Sequence, residues 1–315
     1  MNVVVTGSAG FIGRHVVAEA GKRGHRVQAW DRRSHDLRNV AGLAQALAGV
    51  DAVIHCAASL GGDAQTQNAD TVVATENLLA AMREAGVKQI VGVSSFAVYD
   101  YQAVPAGSAL GEDSPLEEDF PARAPYILAK RKQEDLIRAA GEAGGQGLRF
   151  TIIRPGIVYG PGRTWFHHLG MQLGAAQWVC LAGDGLFPVT HVESCAEAIV
   201  LALESSDANG ATLNIVDDDL PTRIAYVREL ARRTTPQPKI RELPWSLLSM
   251  GAATAHTINH GLLLGKLPVP GLLDPASLAE RCKPLFYPNA RAKQTLHWTP
   301  RYGFVEGLER SLAAS

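Results

Sequence analysis

The sequence is poor in cysteine and nearly neutral. Its four cysteines, Cys56, Cys180, Cys195 and Cys282, form no Cys-x-x-Cys pair, which argues against a paired thiol motif. Most of them lie in apolar runs, so we expect free, buried thiols and a reducing, cytoplasmic location. A formal net charge of −1 provides no general field that would attract nucleic acid or an anionic membrane.

Long hydrophobic runs are also missing. No uninterrupted apolar run reaches the roughly 18 residues of a membrane-spanning helix. The nearest candidate, residues 243–264, is broken by His256, Asn259 and His260. We expect a helix packed on the protein there, with a peripheral contact to a membrane or an acyl substrate as the alternative. An apolar segment at residues 3–5 follows the first two residues without a basic stretch, so no secretory signal peptide is expected.

Apolar and charged contents of 46% and 19% in 315 residues are typical of an ordered globular protein with one large domain, or a large domain and a small lobe. Nearly continuous apolar runs predict strands at residues 3–5, 27–30, 52–54, 90–93 and 150–153. Helical windows between them cover residues 11–23, 40–48, 71–85 and 126–140. This alternation predicts an α/β fold with a Rossmann-type doubly wound parallel sheet.

The pattern becomes looser after about residue 160, where proline and glycine are frequent and clear helical windows remain only at 192–203 and 221–233. We assign residues 1–160 to a nucleotide-binding domain. Residues 161–315 are assigned mainly to a smaller, interwoven C-terminal substrate lobe, with some segments returning to the sheet. Such a lobe would cover the carboxyl ends of the strands, where ligands bind in open α/β sheets.

A glycine-rich turn follows the first predicted strand and opens the first helix, with glycines at Gly7, Gly10 and Gly13. Gly7 permits the tight turn, and Gly10 lets backbone N–H groups approach a pyrophosphate. Gly13 allows the helix to pack closely on the strand. The G-x-x-G-x-x-G spacing after a first strand predicts a dinucleotide site, with Phe11 and Ile12 beside the cofactor.

Asp31 ends the second predicted strand. A carboxylate at this position would accept hydrogen bonds from the adenosine ribose hydroxyls and repel a 2′-phosphate, which favours NAD. Arg32 and Arg33 follow directly, and either could hold that phosphate instead, so NADP stays open as the alternative. Asp31 could also be a solvated turn residue.

Tyr126 and Lys130 are four residues apart in a helical window, so both side chains project from one face. Tyrosine has an ordinary pKa of about 10. A nearby ammonium group stabilises the phenolate and lowers that pKa, which makes the side chain a usable acid or base. Ser95, at the end of an apolar run, would donate a hydrogen bond to the same substrate oxygen, with Ser94 as its rival. This set predicts hydride-transfer chemistry at an alcohol or ketone.

These motifs resemble those of the extended short-chain dehydrogenase/reductase superfamily, and in particular its NAD-dependent epimerase/dehydratase family. The matching segments extend over nearly the whole chain: residues 6–13 (TGxxGxxG), 55–58 (HxAA), 94–99 (SSxxVY), 126–130 (YxxxK), 154–162 (RPxxVYGPG), 191–194 (HVDD) and 296–300 (LGWxP). The resemblance implies that Ser95, Tyr126 and Lys130 are catalytic, with the last two also contacting the cofactor. It implies further cofactor contacts from Asp36, Leu37, Cys56, Ala57, Ala58, Thr71 and Pro155.

Two departures from the family pattern concern the substrate. Nucleotide-sugar members carry an asparagine where this chain has Ile157, and an arginine within the segment that corresponds to residues 183–191, where this chain has none. Both changes weaken anion recognition. Residues 243–300 resemble the branch related to 3β-hydroxysteroid dehydrogenases and dihydroflavonol reductases, which take bulky, less charged substrates. His167 and His168 could line the substrate pocket, and with no third ligand no metal site is predicted.

Three functions follow as hypotheses. The leading one is an NAD(P)-dependent oxidoreductase that acts on a small-molecule secondary alcohol or ketone. The alternatives are a nucleotide-sugar epimerase or dehydratase, and a non-catalytic dinucleotide-binding protein. Helices at 71–85 and 126–140 correspond to the pair that often forms a dimer contact in the superfamily, which implies a homodimer. We expect His55 to be a packed strand-end residue and Glu134 to be a surface partner of Lys130 or Arg138.

Overall fold

The computed structural model describes residues 1–118, 125–142, 147–182, 185–244 and 283–313. Six parallel strands form the central sheet: β1 (Asn2–Thr6), β2 (Arg26–Trp30), β3 (Ala52–His55), β4 (Gln89–Val93), β5 (Arg149–Pro155) and β10 (Thr212–Ile215). Their spatial order is β10-β5-β4-β3-β1-β2. The chain thus passes from β1 to one edge and then returns past β1 to the other, which confirms the predicted doubly wound sheet.

The strands are buried because most of their side chains are apolar. Val3, Val4 and Val5 of β1 and all four residues of β3 are shielded from solvent. The edge strand β2 is the exception, since three of its five residues are exposed. This distribution is the one that continuous apolar runs predict for a parallel sheet covered on both faces.

Helices cover the two faces of the sheet, each over its own apolar core. On one face lie α1 (Phe11–Lys22), α6 (Val192–Glu204) and α8 (Ala290–Leu296). On the other lie α2 (Leu43–Ala46), α4 (Ala74–Ala85) and α5 (Pro125–Glu142). A short helix α3 (Ala64–Gln67) and a π-helical turn (Asn68–Val73) lead into α4.

The other elements build a second layer above the strand ends. Strands β6 (Ile157–Tyr159) and β9 (Val189–His191) form a parallel pair, and β7 (Gly170–Gln172), β8 (Gln177–Ala182) and β11 (Lys239–Pro244) form a three-stranded sheet. Helices α7 (Arg223–Arg232) and α9 (Phe304–Ala313) share an aromatic core with them. Strand β10 is part of the central sheet and α6 packs on it. Residues after 160 therefore contribute both to the central sheet layer and to the second layer, and the domain boundary stays a prediction.

None of the helices in the described part of the chain is long and apolar enough to cross a membrane. The helix predicted within residues 243–264 lies outside the described residues, apart from two exposed positions at the end of β11. Among the described residues no disulfide joins Cys56, Cys180 and Cys195, and the last two are buried, as expected. Cys282 lies outside the described residues.

Candidate active site

A cleft of about 950 Å³ opens at the carboxyl ends of the central strands. Loops that follow neighbouring parallel strands meet at this edge of a sheet, where ligands bind in α/β folds. The cleft brings together sixteen of the seventeen residues predicted to be catalytic or to bind the cofactor: Gly7, Gly10, Phe11, Ile12, Gly13, Asp31, Arg32, Asp36, Leu37, Cys56, Ala57, Ala58, Ser95, Tyr126, Lys130 and Pro155. Thr71 is not among the lining residues; its Oγ1 accepts a hydrogen bond from Ser59 N at 3.1 Å.

The glycine-rich turn leaves no room for a side chain at Gly7 or Gly13. Gly7 has φ +66°, and a Cβ atom there would lie 2.7 Å from Ala57 N. At Gly13 a Cβ atom would lie 2.1 Å from Gly7 O. No side chain caps α1, and its first turn carries no acidic residue, so its N–H groups are available to an anion. Free N–H groups at the positive end of a helix suit a pyrophosphate, and this cradle therefore fits a dinucleotide.

The charges near Asp31 fit NAD better than NADP. The Asp31 carboxylate accepts hydrogen bonds from Ser34 N at 2.8 Å and Arg33 N at 3.0 Å, and the Ser34 contacts chiefly hold its pKa below the usual value. Arg32 is neutralised by Asp70, with Nη2 2.6 Å from Oδ2. Of the two arginines considered for a 2′-phosphate, one is thus paired with a carboxylate and the other, Arg33, does not line the cleft.

Asp36 and Leu37, which follow Asp31 in the chain, also line the cleft. The pKa of Asp36 is lowered to about 2, mainly by the hydrogen bond from Arg38. Leu37 is buried, and its carbonyl accepts a hydrogen bond from Asn77 Nδ2 at 2.9 Å. A fixed loop with an apolar side chain gives an adenine ring a flat surface to lie on. The adenine contact of these two residues stays a prediction.

Lys130 lies on the buried face of α5, with 3% of its surface exposed. Its Nζ donates to the carbonyl of Val93 at 2.7 Å and to Gln133 Oε1 at 2.8 Å. Burial lowers the pKa of Lys130 to about 8. The ammonium form is still favoured at neutral pH, and no carboxylate pairs with it among the described ion pairs. Its charge is therefore available to the cleft.

His55 is a fully buried strand-end residue, as predicted. One ring nitrogen is 2.7 Å from Thr6 Oγ1 and the other 3.0 Å from Thr75 Oγ1. Burial, aided by the charge of Lys130, lowers the pKa of His55 to about 3. A neutral imidazole bonded at both nitrogens joins β1 to α4 and has no nitrogen left for acid–base work.

Tyr126 lies in the first turn of α5, one turn before Lys130, and is half-buried at the cleft. Ser95 follows β4, is partly exposed, and accepts a hydrogen bond from Ala97 N at 3.2 Å. Its rival Ser94 also lines the cleft but is buried, with 6% of its surface exposed. The catalytic role of Ser95 stays a prediction.

The opposite end of the cleft is lined by apolar groups and a few polar ones. Ile157, Pro188 and Phe166 contribute the apolar surface, and His167 and His168 line it as expected. No group of three His, Cys, Asp or Glu side chains that could hold a metal occurs within the described ranges. Arg223, which the sequence analysis did not single out, also lines this end.

Glu134 was predicted to be a surface residue, and this prediction is wrong. Its side chain is 1% exposed and accepts two hydrogen bonds from Arg154, at 2.9 Å from Nε and 2.6 Å from Nη2. Arg138 is a second, longer partner at 3.5 Å, and Lys130 bonds elsewhere. The reason is the helical spacing itself: a residue four positions after Lys130 lies on the same face, which α5 turns toward the sheet.

The sequence model of the NAD dependent epimerase/dehydratase family matches residues 3–215. The chain belongs to this family. Membership confirms the expected superfamily and its NAD cofactor. The glycine cradle and the charges near Asp31 fit that cofactor. Members of the family are enzymes, so the chain is assigned to the NAD-dependent oxidoreductases, with epimerases as the alternative within the family.

Three similar proteins illustrate the range of the epimerase/dehydratase family. A 2-alkyl-3-oxoalkanoate reductase of Stenotrophomonas maltophilia is 27% identical over 100% of this chain and 99% of its own length. A 3-beta-hydroxysteroid dehydrogenase of Mycolicibacterium neoaurum is 27% identical over 64% of this chain and 60% of its own. The structure of MoeE5 with UDP-glucose and NAD has a TM-score of 0.72, at 24% identity, over 100% of this chain and 98% of that one. The last likeness supports the fold.

Proposed function

We propose that this protein interconverts a secondary alcohol and a ketone, with Tyr126 as the acid/base. One observation carries the proposal: the Lys130 ammonium is fixed in the buried wall of the cleft, one helical turn from Tyr126, by Val93 O and Gln133 Oε1. A fixed cation beside a tyrosine favours its phenolate form. The same cleft contains the dinucleotide cradle, so the hydride donor and the acid/base would act on the same substrate.

In the ketone-reducing direction, NADH supplies the hydride when it is bound. Ser95 Oγ donates a hydrogen bond to the carbonyl oxygen and fixes its position. Tyr126 transfers its phenolic proton to that oxygen, and the Lys130 ammonium stabilises the phenolate that remains. The proton is restored from solvent, and the alcohol leaves. In the oxidative direction Tyr126 acts as the base.

The test follows NADH consumption by the purified protein with a panel of ketones. We expect turnover with at least one ketone, and a loss of about 10²- to 10⁴-fold in kcat for Tyr126→Phe. That variant should keep the thermal shift that NAD causes, because it keeps the cradle. The control is Tyr302→Phe, outside the cleft, where a hydroxyl bonded to Glu193 is removed. Full activity of Tyr126→Phe would remove Tyr126 from the mechanism.

A nucleotide-sugar epimerase or dehydratase is the second candidate, because MoeE5 holds UDP-glucose together with NAD in a similar fold. Against it stands the apolar Ile157 at the substrate end. The 2-alkyl-3-oxoalkanoate reductase resembles this chain over its full length, which supports a ketone substrate. Binding of UDP- or dTDP-sugars to the NAD-loaded protein, with product formed and no net NADH change, would favour the second candidate.

We also infer a homodimer in the cytoplasm, formed through α4 and α5. The exposed Ala80 and the partly exposed Leu128 lie on these two helices, and they offer a small and a larger apolar side chain to a partner helix. The three described cysteines form no disulfide with one another, which supports a reducing compartment. Sedimentation analysis with Leu128→Asp tests the dimer: a monomer is expected for the variant, and an unchanged size would place any interface elsewhere.

A further inference from the structure

Arg223 is a buried cation at the unfavourable end of a helix. It is the first residue of α7, directly after the cap residue Thr222, whose Oγ1 accepts a hydrogen bond from Ala225 N. Only 1% of the surface of Arg223 is exposed. The N-terminus of a helix carries partial positive charge, so a guanidinium group there is repelled.

Among the described residues, no carboxylate forms an ion pair with the guanidinium of Arg223. Within the described part of the chain, its Nε and Nη1 atoms are buried and donate to no acceptor. The guanidinium lies over the ring of Phe187, with Cζ 5.4 Å from the ring centroid. Arg154, equally buried, is bonded twice by Glu134. A buried charge without a partner is costly. Arg223, unlike Arg154, therefore needs a negatively charged ligand to offset that cost.

Arg223 lies at the substrate end of the cleft, among Gly156, Ile157 and Pro188. Three acidic groups, Asp31, Asp36 and Asp70, line the adenosine end, and Glu117, whose backbone N–H donates to Val98 O, lines the cleft near Ser95. The other arginine at the substrate end, Arg163, is exposed and lies over the rings of Phe11 and Phe166 at 5.3 and 5.9 Å. Arg163 is open to solvent, whereas Arg223 is almost fully buried and borders the cleft.

We propose that Arg223 binds a carboxylate of the substrate, so that the protein acts on an oxo or hydroxy acid. This proposal rests on the proposed function, because it places the reacting carbon at Tyr126. The planar fork of a guanidinium donates two parallel hydrogen bonds to a carboxylate. The single positive charge of Arg223 matches the single negative charge of a carboxylate. Ile157, Pro188 and Phe166 then contact the carbon skeleton.

The first arm of the test compares substrates that differ only in charge. Medium-chain oxo acids and their methyl esters are assayed with NADH for wild type, Arg223→Gln and Arg223→Lys. We expect Arg223→Gln to lower kcat/KM for the acid by about 30-fold or more, chiefly through KM, and to change that for the ester less than threefold. Arg223→Lys should recover part of the loss. The control, Arg228→Gln, removes the same charge from the exposed face of α7.

The second arm measures binding without turnover, so that it stands even if no ketone is reduced. The melting temperature of the NAD-loaded protein is followed with decanoate, methyl decanoate, inorganic pyrophosphate and UDP-glucose. We expect decanoate alone to stabilise wild type, and Arg223→Gln to lose that shift. A shift with UDP-glucose or pyrophosphate that depends on Arg223 would overturn the carboxylate in favour of a diphosphate.

A third variant separates recognition from structure. Arg223→Met replaces the cation by an apolar side chain of similar length, and we expect an equal or higher melting temperature without ligand together with loss of acid selectivity. Two results would overturn the proposal. One is a destabilised Met variant whose acid-to-ester preference is unchanged, which would make Arg223 structural. The other is equal turnover of acid and ester by wild type.

Discussion

Lys130 Nζ donates a hydrogen bond to Gln133 Oε1 at 2.8 Å, and both side chains are buried. Gln133 in turn donates to Thr75 Oγ1 at 3.0 Å, which lies 3.0 Å from a ring nitrogen of His55. The other ring nitrogen reaches Thr6 at the end of β1. The lysine of the proposed mechanism is therefore held by a polar network that extends to the strand before the glycine-rich turn, and Gln133 is a positioning residue.

Gln133→Leu removes the side-chain acceptor of Lys130 and the donor to Thr75. Hydrogen bonds to charged groups contribute about 1.5–3 kcal/mol, so we expect kcat to fall by roughly 10- to 100-fold, with a smaller change in KM. Gln133→Glu places a carboxylate beside the ammonium and should raise the pKa of Lys130. The alkaline limb of the pH–rate profile then moves to higher pH. An equal loss in the exposed neighbour Lys132→Gln would show that the effect is not specific.

The buried Lys130 predicts a pH dependence of stability. Burial lowers its pKa from 10.5 to about 8, so the unfolded chain binds the proton more tightly and stability rises as pH increases through that window. The full effect is about 3 kcal/mol. Lys130→Met lacks this dependence. We therefore expect the difference in unfolding free energy, wild type minus Lys130→Met, to increase between pH 7 and 10 in urea titrations. A constant difference would contradict the prediction.

Local spacing was sufficient to predict the elements whose function depends on local geometry. The glycine triplet extends over seven residues and the pair of Tyr126 and Lys130 over five, and the cleft contains both. The continuous apolar runs likewise predicted five of the six strands of the central sheet, and β10 was not predicted. Glu134 shows where this failed: charge suggested a surface position, although its spacing from Lys130 already placed it on the buried face.

Contacts between distant segments could not be predicted. Asp70, which neutralises Arg32 from 38 positions away in the chain, is set by the way the segment before α4 passes β2. Gln133 has no motif of its own and gains its role only from Thr75 and Lys130. In the sequence, Arg223 resembles an ordinary helix residue. The signal that could have revealed it is its position directly after a helix cap, where a cation is unfavourable.

The buried pair of Glu134 and Arg154 should be important for stability. Removal of one partner from a buried ion pair costs about 3–5 kcal/mol, because the other charge is left without compensation. We expect this loss for Glu134→Gln in urea unfolding. The matched control is Glu306→Gln, in the exposed pair with Arg310 at 2.9 Å, where about 0.5 kcal/mol or less is expected. Similar losses for the two variants would show that the buried pair is not special.

Two glycines of α1 provide the sharpest test of the cofactor cradle. At Gly13 a Cβ atom would lie 2.1 Å from Gly7 O and 3.0 Å from Ser8 Cα, so Gly13→Ala must push the helix away from the turn that would hold the pyrophosphate. At Gly21, two turns along the same helix, a Cβ atom would meet nothing within 4 Å. We expect Gly13→Ala to abolish the thermal shift with NAD and to lower stability.

Gly21→Ala should instead keep NAD binding and raise the free energy of unfolding by up to about 1 kcal/mol, because alanine favours the helix. The measurement is a titration of both variants with NAD, followed by melting temperature and by isothermal calorimetry. Since the two substitutions are chemically identical, any difference in NAD affinity arises from the position of the added methyl group. Wild-type affinity in Gly13→Ala would mean that the dinucleotide does not bind at this turn.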